Sequence, residues 1–481
     1  MNGWNKFALG IAWVTAASLC ASPLLAQQEG EGKPKPAARE YPPLLDIGDN
    51  QQDVDAGTQT MQPDVLPLIG VQNPTLGVPQ IRHSYWVPGI EYTNAAGSNS
   101  WNLKANSGWN TSSFVNANVS LLAASSHGLF SANYSGGGFF STDPIQGNGT
   151  NHQLTAAYQI DLRRWQLLFV DQFSYLPQSA FGFGGTTGLA FPGIAGDLGN
   201  LAVPLPGLQN AFVPDQSILT TNGPRYSNAS AVQLTYKVSS RGAVTLAGVY
   251  GVLEFTDPGN VDNESEILNL GYNYAISRTD TIGVAYLFSA HHYPGDPQAI
   301  GDHVGQFAYG RKITGKLALK LAAGPEVTTF RVATSGSSPR ISGSGNAMLT
   351  YAFARSSVAL SYEHGMSGGS GVFSGSEIDE VGARWSRQLT RMWNVGVNFG
   401  YAKNSQILSL SGVASPAYDS WSVGARASRA VGRAAVFSLG YQAQIQGTNV
   451  AICGNPTCGT NYTLNQVLVT FQWHSRPLVL R

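Results

Sequence analysis

Residues 234–251 read LTYKVSSRGAVTLAGVYG. Leu234, Tyr236 and Val238 alternate with Thr235 and Lys237, then Ser-Ser-Arg-Gly interrupts and an apolar run follows. Alternation of period two on either side of a short polar break predicts two antiparallel strands joined by a tight turn. The plan recurs at 268–289 (LNLGYNYAISRTDTIGVAYLFS) and 349–365 (LTYAFARSSVALSYEHG). This is the weak internal repeat expected of hairpins added one after another.

From about residue 84 the same period runs through the chain. Leu154, Ala156, Tyr158, Ile160 and Leu162 alternate with Gln153, Thr155, Ala157, Gln159 and Asp161. Trp393, Val395, Val397, Phe399 and Tyr401 alternate with Asn394, Gly396, Asn398 and Gly400, and Phe437, Leu439, Tyr441, Ala443 and Ile445 with Ser438, Gly440, Gln442 and Gln444. Apolar-out, polar-in strands of this length suit a membrane wall. Only 12% of residues are charged, against roughly 25% in typical soluble domains. A soluble sandwich would carry more charge on its polar face and shorter strands. No internal segment approaches the length of an apolar helical span, so a membrane form has to be a closed barrel.

The connections sort into two kinds. Short ones, most of them basic, fall at Arg163-Arg164, 239–242, 277–280, 311–316, 354–357, 387–391 and 428–433, and stretches rich in Gly, Ser, Pro and Asn lie between them. Tight turns on one side and long loops on the other describe an outer-membrane barrel with periplasmic turns and extracellular loops. Seventeen strands are evident from their pattern, the last at about 463–473. Closure demands one more, supplied by 84–96 despite Pro88. The fold expected is an all-β transmembrane antiparallel up-and-down barrel of about 18 strands spanning 84–473, with 16 as the alternative.

Residues 1–26 carry Lys6, an apolar run from Phe7 to Leu19, and Leu-Leu-Ala ending at Ala26. They read as a secretory signal peptide; Leu19 before Cys20 disfavours lipidation. Its removal leaves 27 basic and 28 acidic residues, a net charge of −1, which excludes the basic footprint of a nucleic-acid binder. Residues 27–83, rich in Pro, Gln and Asp, read as a disordered or plug-like periplasmic segment. Cys453 and Cys458, in CGNPTC, read as a disulfide closing a small loop of an exported protein.

With these hairpins in view, the chain resembles bacterial outer-membrane porin-like barrels. Its Ser/Arg turns and Tyr-rich strands most resemble the uncharacterised type associated with exopolysaccharide systems. TLNQVLVTFQW, with Val467, Val469, Phe471 and Trp473 on one face, resembles the C-terminal signal read by the barrel-assembly machinery. It departs from the usual pattern because the tail 474–481 (HSRPLVLR) follows, leaving the signal internal.

Enzyme-like matches are weak. Gly365-Met366-Ser367-Gly368-Gly369 fits a nucleophile elbow but reads as a Gly/Ser-rich loop without a helix. Gly310–Lys316 lacks the hydroxyl residue of a phosphate loop, Leu317 standing in its place. His291, His292 and His303 read as solvated loop histidines rather than metal ligands. No catalytic, cofactor or metal site is expected. Parity instead turns Gln153, Gln159, Asp161, Lys237, Asn269, Asn273, Lys320, Glu363, Arg384, Asn394, Asn398, Arg426, Gln442, Gln444, Gln466 and Gln472 into the lumen. Amides dominate and charges of both signs are scattered, so no single-sign ring sets ion selectivity. Asp171 falls on the lipid-facing parity of Phe169 and Phe173, which predicts a β-bulge nearby, the alternative being that Leu168 and Val170 face outward there.

The reading is a porin-like channel of the Gram-negative outer membrane. It sits among outer-membrane lipids and passes small hydrophilic solutes, sugars or an exported polysaccharide. The alternatives are a structural or adhesive barrel with a plugged lumen and, further off, an outer-membrane hydrolase. The apolar stretch 177–226 is too long for an idle connection and is expected to fold into the lumen and constrict it. Deleting 180–220 then raises single-channel conductance in planar bilayers; an unchanged conductance removes that role.

Overall fold

The structure, a computed structural model, describes residues 84–98, 109–142, 147–176, 224–256, 260–296, 298–331, 339–369, 371–407, 417–432, 434–448 and 462–479. The signal peptide, 27–83, the Cys453/Cys458 pair and 177–223 of the apolar loop lie outside the described residues.

Every regular element described is a strand. They are β1 (Tyr85–Ser98), β2 (Trp109–Ala124), β3 (Gly128–Ser141), β4 (Gly149–Asp161), β5 (Trp165–Leu176), β6 (Arg225–Lys237), β7 (Gly242–Phe255), β8 (Asn263–Ala275) and β9 (Asp280–His292). There follow β10 (Ala299–Lys312), β11 (Leu317–Arg331), β12 (Arg340–Ala352), β13 (Ser356–Ser367), β14 (Ser376–Gln388), β15 (Trp393–Gln406), β16 (Ala417–Val431), β17 (Ala435–Thr448), β18 (Tyr462–His474) and the two-residue β19 (Leu478–Val479). Each strand from β1 to β18 pairs antiparallel with the next, and β1 pairs with β18, so eighteen strands close on themselves.

The repeat seen in the sequence has a local cause. At five turns a hydroxyl oxygen accepts the backbone N–H three residues on: Ser125 from Gly128 (2.9 Å), Ser239 from Gly242 (2.9 Å), Ser277 from Asp280 (2.9 Å), Thr314 from Leu317 (3.0 Å) and Thr390 from Trp393 (3.1 Å). A hydroxyl that satisfies its own turn needs no tertiary help. This gives these five turns their common Ser/Thr signature.

Closure sorts the side chains. Trp165, Phe169, Leu246, Tyr272, Trp421, Phe437, Tyr441 and Trp473 are exposed, while Gln159, Gln233, Gln442 and Gln466 are buried. Large apolar groups thus cover the outside and amides line the inside, the reverse of a soluble protein. The seam depends on β1. Its pairing with β18 begins at Gly89↔His474, so Pro88 stands where the ladder ends and its missing N–H breaks nothing. The Pro88 carbonyl accepts Ser475 N–H at 2.8 Å. The tail is not idle: β18 runs to His474, and Leu478 and Val479 pair with Trp86 and Tyr85.

The expected bulge at Asp171 is absent. β5 pairs with β4 from Tyr175↔His152 to Gln166↔Asp161, and with β6 from Trp165↔Tyr236 to Leu176↔Arg225, with no residue skipped. Leu168 and Val170 are buried on the inner face, so Asp171 does face outward. Hydrogen bonding accommodates it: Ser230 Oγ donates to its Oδ2 at 2.5 Å, and Asn228 Nδ2 stands 3.5 Å away.

The β10–β11 ladder does skip, between Val304↔Glu326 and Phe307↔Ala323. Pro325 has no N–H to offer there, and the backbones close in until Gly324 abuts the Gly305 carbonyl. A methyl group at Gly324 has nowhere to go. Gly324→Ala should cost about 1–3 kcal/mol by overpacking, read as a lower urea midpoint of the refolded barrel; an unchanged midpoint contradicts the close approach.

Candidate functional site

The candidate site is the barrel interior. The register puts the expected lumen residues on the inner face. Gln159, Asn273, Gln442 and Gln444 are buried there. Arg384 pairs with Asn398, Glu363 with Asn346, Arg426 with Gly440, and Lys237 with the buried Ala243. Lys320 shares its face with the buried Ala318 and Ala322. Asp161 accepts Gln159 Nε2 at 2.7 Å and Gln166 Nε2 at 2.8 Å. Thr93 and Thr470 join hydroxyls across the seam at 3.0 Å.

Two features of the inner wall escaped the sequence reading. One is an apolar belt: Ala157, Leu168, Val170, Ala229, Ala231, Ala247 and Val249 pack together on β4–β7, with Leu129 and Ile267 beside them. Counting parity from Gln159 through the turn to Gln166 would have found it. The other is a set of inward acids. Thr328 donates to Asp302 at 2.9 Å, and Glu326 accepts Ser342 Oγ at 3.0 Å and Met366 N–H at 3.1 Å. The amides differ. Both side-chain atoms of Gln442 and of Asn116, and the side-chain carbonyl oxygens of Gln233 and Gln466, are buried without a hydrogen-bond partner among the described residues.

Eighteen strands spaced ~4.8 Å and tilted ~40° give a backbone radius of about 18 Å. Such a barrel ordinarily encloses an aqueous channel. Yet Gln233 and Gln442 are each 1% exposed and Gln466 2%.

The connection between β13 and β14 crosses the mouth. Gly369, Gly371 and Gly375 have φ of 88°, 76° and 87°, a backbone that favours glycine and lets this connection fold sharply. Val372 and Phe373 N–H both reach the Gly369 carbonyl at 3.0 Å. Ser367 and Ser376 clasp its base at 2.9 Å. From there it ties distant parts together. Val261 N–H, between β7 and β8, donates to the Gly371 carbonyl at 2.8 Å. Ser374 Oγ donates to Asp296, between β9 and β10, at 2.9 Å. Phe373 is buried and meets the Tyr418 ring of β16 edge-on at 5.5 Å. Beside it, burial and the nearby Asp296 push the Tyr293 hydroxyl well above its ordinary pKa.

This connection contains part of the elbow-like motif. Ser367 is the last residue of β13, not a loop residue; it is buried, bonded to Ser376, and followed by no helix. The three histidines do not converge, and none of them lies in a loop. His291 ends buried on β9, His292 is exposed beside it, and His303 lies on β10 bonded to Tyr286 Oη at 2.7 Å. Among the described residues, no group of three or more His, Cys, Asp or Glu is placed to hold a metal ion.

No family model matches the sequence, and no curated protein matches it. Similar solved structures include Pseudomonas aeruginosa OpdQ, at 12% identity over 82% of this chain and 98% of that one, with a TM-score of 0.40. Pseudomonas aeruginosa OccK5 (OpdH) is 11% identical over 83% and 100%, with a TM-score of 0.42. Acinetobacter baumannii OccAB4 is 10% identical over 83% and 100%, also at 0.42.

The register of β5 has a direct check. With Cys453 and Cys458 replaced by Ser, a nitroxide at 169 should collide freely with oxygen dissolved in the bilayer, and one at 168 or 170 should be shielded. Equal accessibility would contradict the inward belt.

Proposed function

We propose that this chain is a passive channel of the bacterial outer membrane for small hydrophilic solutes, its turns toward the periplasm and its long loops outside. The observation that carries the reading is the pairing of a closed, aromatic-covered barrel with an inner wall whose amides have hydrogen-bonding capacity to spare. Asp161, Asp302 and Glu326 are engaged by neighbouring side chains or backbone; both side-chain atoms of Gln442 and Asn116, and the side-chain oxygens of Gln233 and Gln466, meet no partner among the described residues. A wall of that kind recognises a neutral, hydroxyl-rich solute by hydrogen bonds more than by field. This supports sugars or an exopolysaccharide-type cargo as the finer class. The Asn228–Asp171 side is excluded from this wall, since it faces outward.

The burial of the inner face favours a second reading, a structural or adhesive barrel whose lumen stays closed. Planar-bilayer recording separates the two. A channel gives discrete steps that an oligosaccharide blocks; an adhesive barrel gives none. The β13–β14 connection is the expected restriction, so replacing Gly369–Ser374 by two glycines should widen the steps. Arg384→Ala combined with Arg426→Ala should shift the reversal potential toward cations. Unaltered steps and potential in both variants would mean that the current does not pass this wall.

A further inference from the structure

On the outer surface of β5, aromatic pairs mark two levels. Trp165 packs on Tyr236 at 4.3 Å near the turn end, and Tyr175 on Tyr226 at 4.7 Å near the loop end. Tyr134 and His152 extend the second level, with His152 stacked toward both Tyr134 and Tyr175. Ten residues separate Trp165 from Tyr175; at ~3.3 Å per residue and ~40° of tilt this is about 25 Å, the height of an outer-membrane apolar band. Asp171 lies between the levels, about 10 Å from the nearer one on the same geometry. Its neighbours across the sheet are Ser230 and Asn228 on β6. Ala156, its partner on β4, and Ala132 beyond it are small, so another surface has room to approach.

Within this cluster Asp171 Oδ2 receives Ser230 and Asn228. Asn228 Nδ2 spends its better hydrogen bond, 3.2 Å, on the Gln172 carbonyl. One carboxylate oxygen, Oδ1, accepts nothing from the described residues, and one amide proton of Asn228 is poorly used at 3.5 Å. Hydrocarbon has no donor to give, and lipid headgroups lie at the aromatic levels. Only protein supplies a donor at this depth. The cluster holds both an acceptor and a donor, so it is self-complementary, as an interface around a two-fold axis requires.

We propose that the outer face of β5 and β6 docks a second copy of this chain within the membrane. Asn228 of each copy donates to Asp171 of the other, and the small outward residues of β3 and β4 let the two walls approach. The proposal concerns the outer wall and stands whether or not the interior conducts.

Cross-linking in outer membranes tests it. In the full chain with Cys453→Ser and Cys458→Ser, Ser230→Cys should form a disulfide-linked species of twice the chain mass under mild oxidation. Val423→Cys, outward on the distant β16, should not. Adding Asp171→Leu with Asn228→Leu to Ser230→Cys should abolish the linked species while the barrel keeps its heat-modifiable mobility, which separates lost docking from lost folding. The same double variant with native Ser230 should run as a monomer by native mass in detergent, where the parent runs as a dimer. A monomeric parent, a cross-link of another mass, or a dimer indifferent to the double variant would each overturn the proposal.

Discussion

In hydrocarbon a backbone N–H or C=O has no water to turn to, so each must find its partner inside the protein. A sheet meets that demand only by closing, and in this chain closure rests on β1. β1 is the strand with the poorest pattern, interrupted by Pro88 and followed by Gly89. It is stabilised on both flanks, by ladders to β2 and β18, by the Thr93–Thr470 bond, and by the tail that pairs Leu478 and Val479 beneath it. A weak strand at the seam is tolerable because its two neighbours are in place on either side. The tail beyond Trp473 extends the seam just where Pro88 ends the main ladder.

Closure then divides every strand into two faces with no exchange between them, because a one-residue slip would turn amides into lipid and aromatics into the lumen. The unbroken β4–β5–β6 register follows from this. A bulge at Asp171 would have relieved one carboxylate but inverted the residues beyond it. Keeping the register and giving Asp171 a hydroxyl at 2.5 Å disturbs far less.

What was legible in the sequence follows the same division. Where one face is apolar and the other polar, as in 153–161 or 437–445, alternation exposes both strand and facing. In β5 the run from Trp165 to Val170 is apolar on both faces apart from Gln166, so alternation says nothing, and facing comes only from the register carried through the turn. The mouth was illegible for a different reason. Gly and Ser in 367–376 announce a backbone free to turn, but not the direction it takes. That direction is set by Val261, Asp296 and Tyr418, which lie up to about a hundred residues away in sequence. The apolar stretch 177–226 drew attention because hydrophobicity is visible in one dimension, and a crossing of the mouth is not.

The inner wall combines two kinds of polar group with different duties. A carboxylate is costly to bury and has to be engaged at once: the buried Asp302 and Glu326 take hydrogen bonds from neighbouring side chains or backbone, and Asp161, exposed at the end of β4, takes two from Gln159 and Gln166. Their binding capacity is spent on the wall itself. Amides are cheaper to leave open, and the side-chain oxygens of Gln233, Gln442 and Gln466 meet no hydrogen-bond partner among the described residues. Charges engaged by the wall and amides without partners give an inner face of low field. In the proposed channel, such a face, where solute reaches it, slows a hydroxyl-rich molecule by many weak contacts without trapping it, which is what passage, as opposed to tight binding, requires.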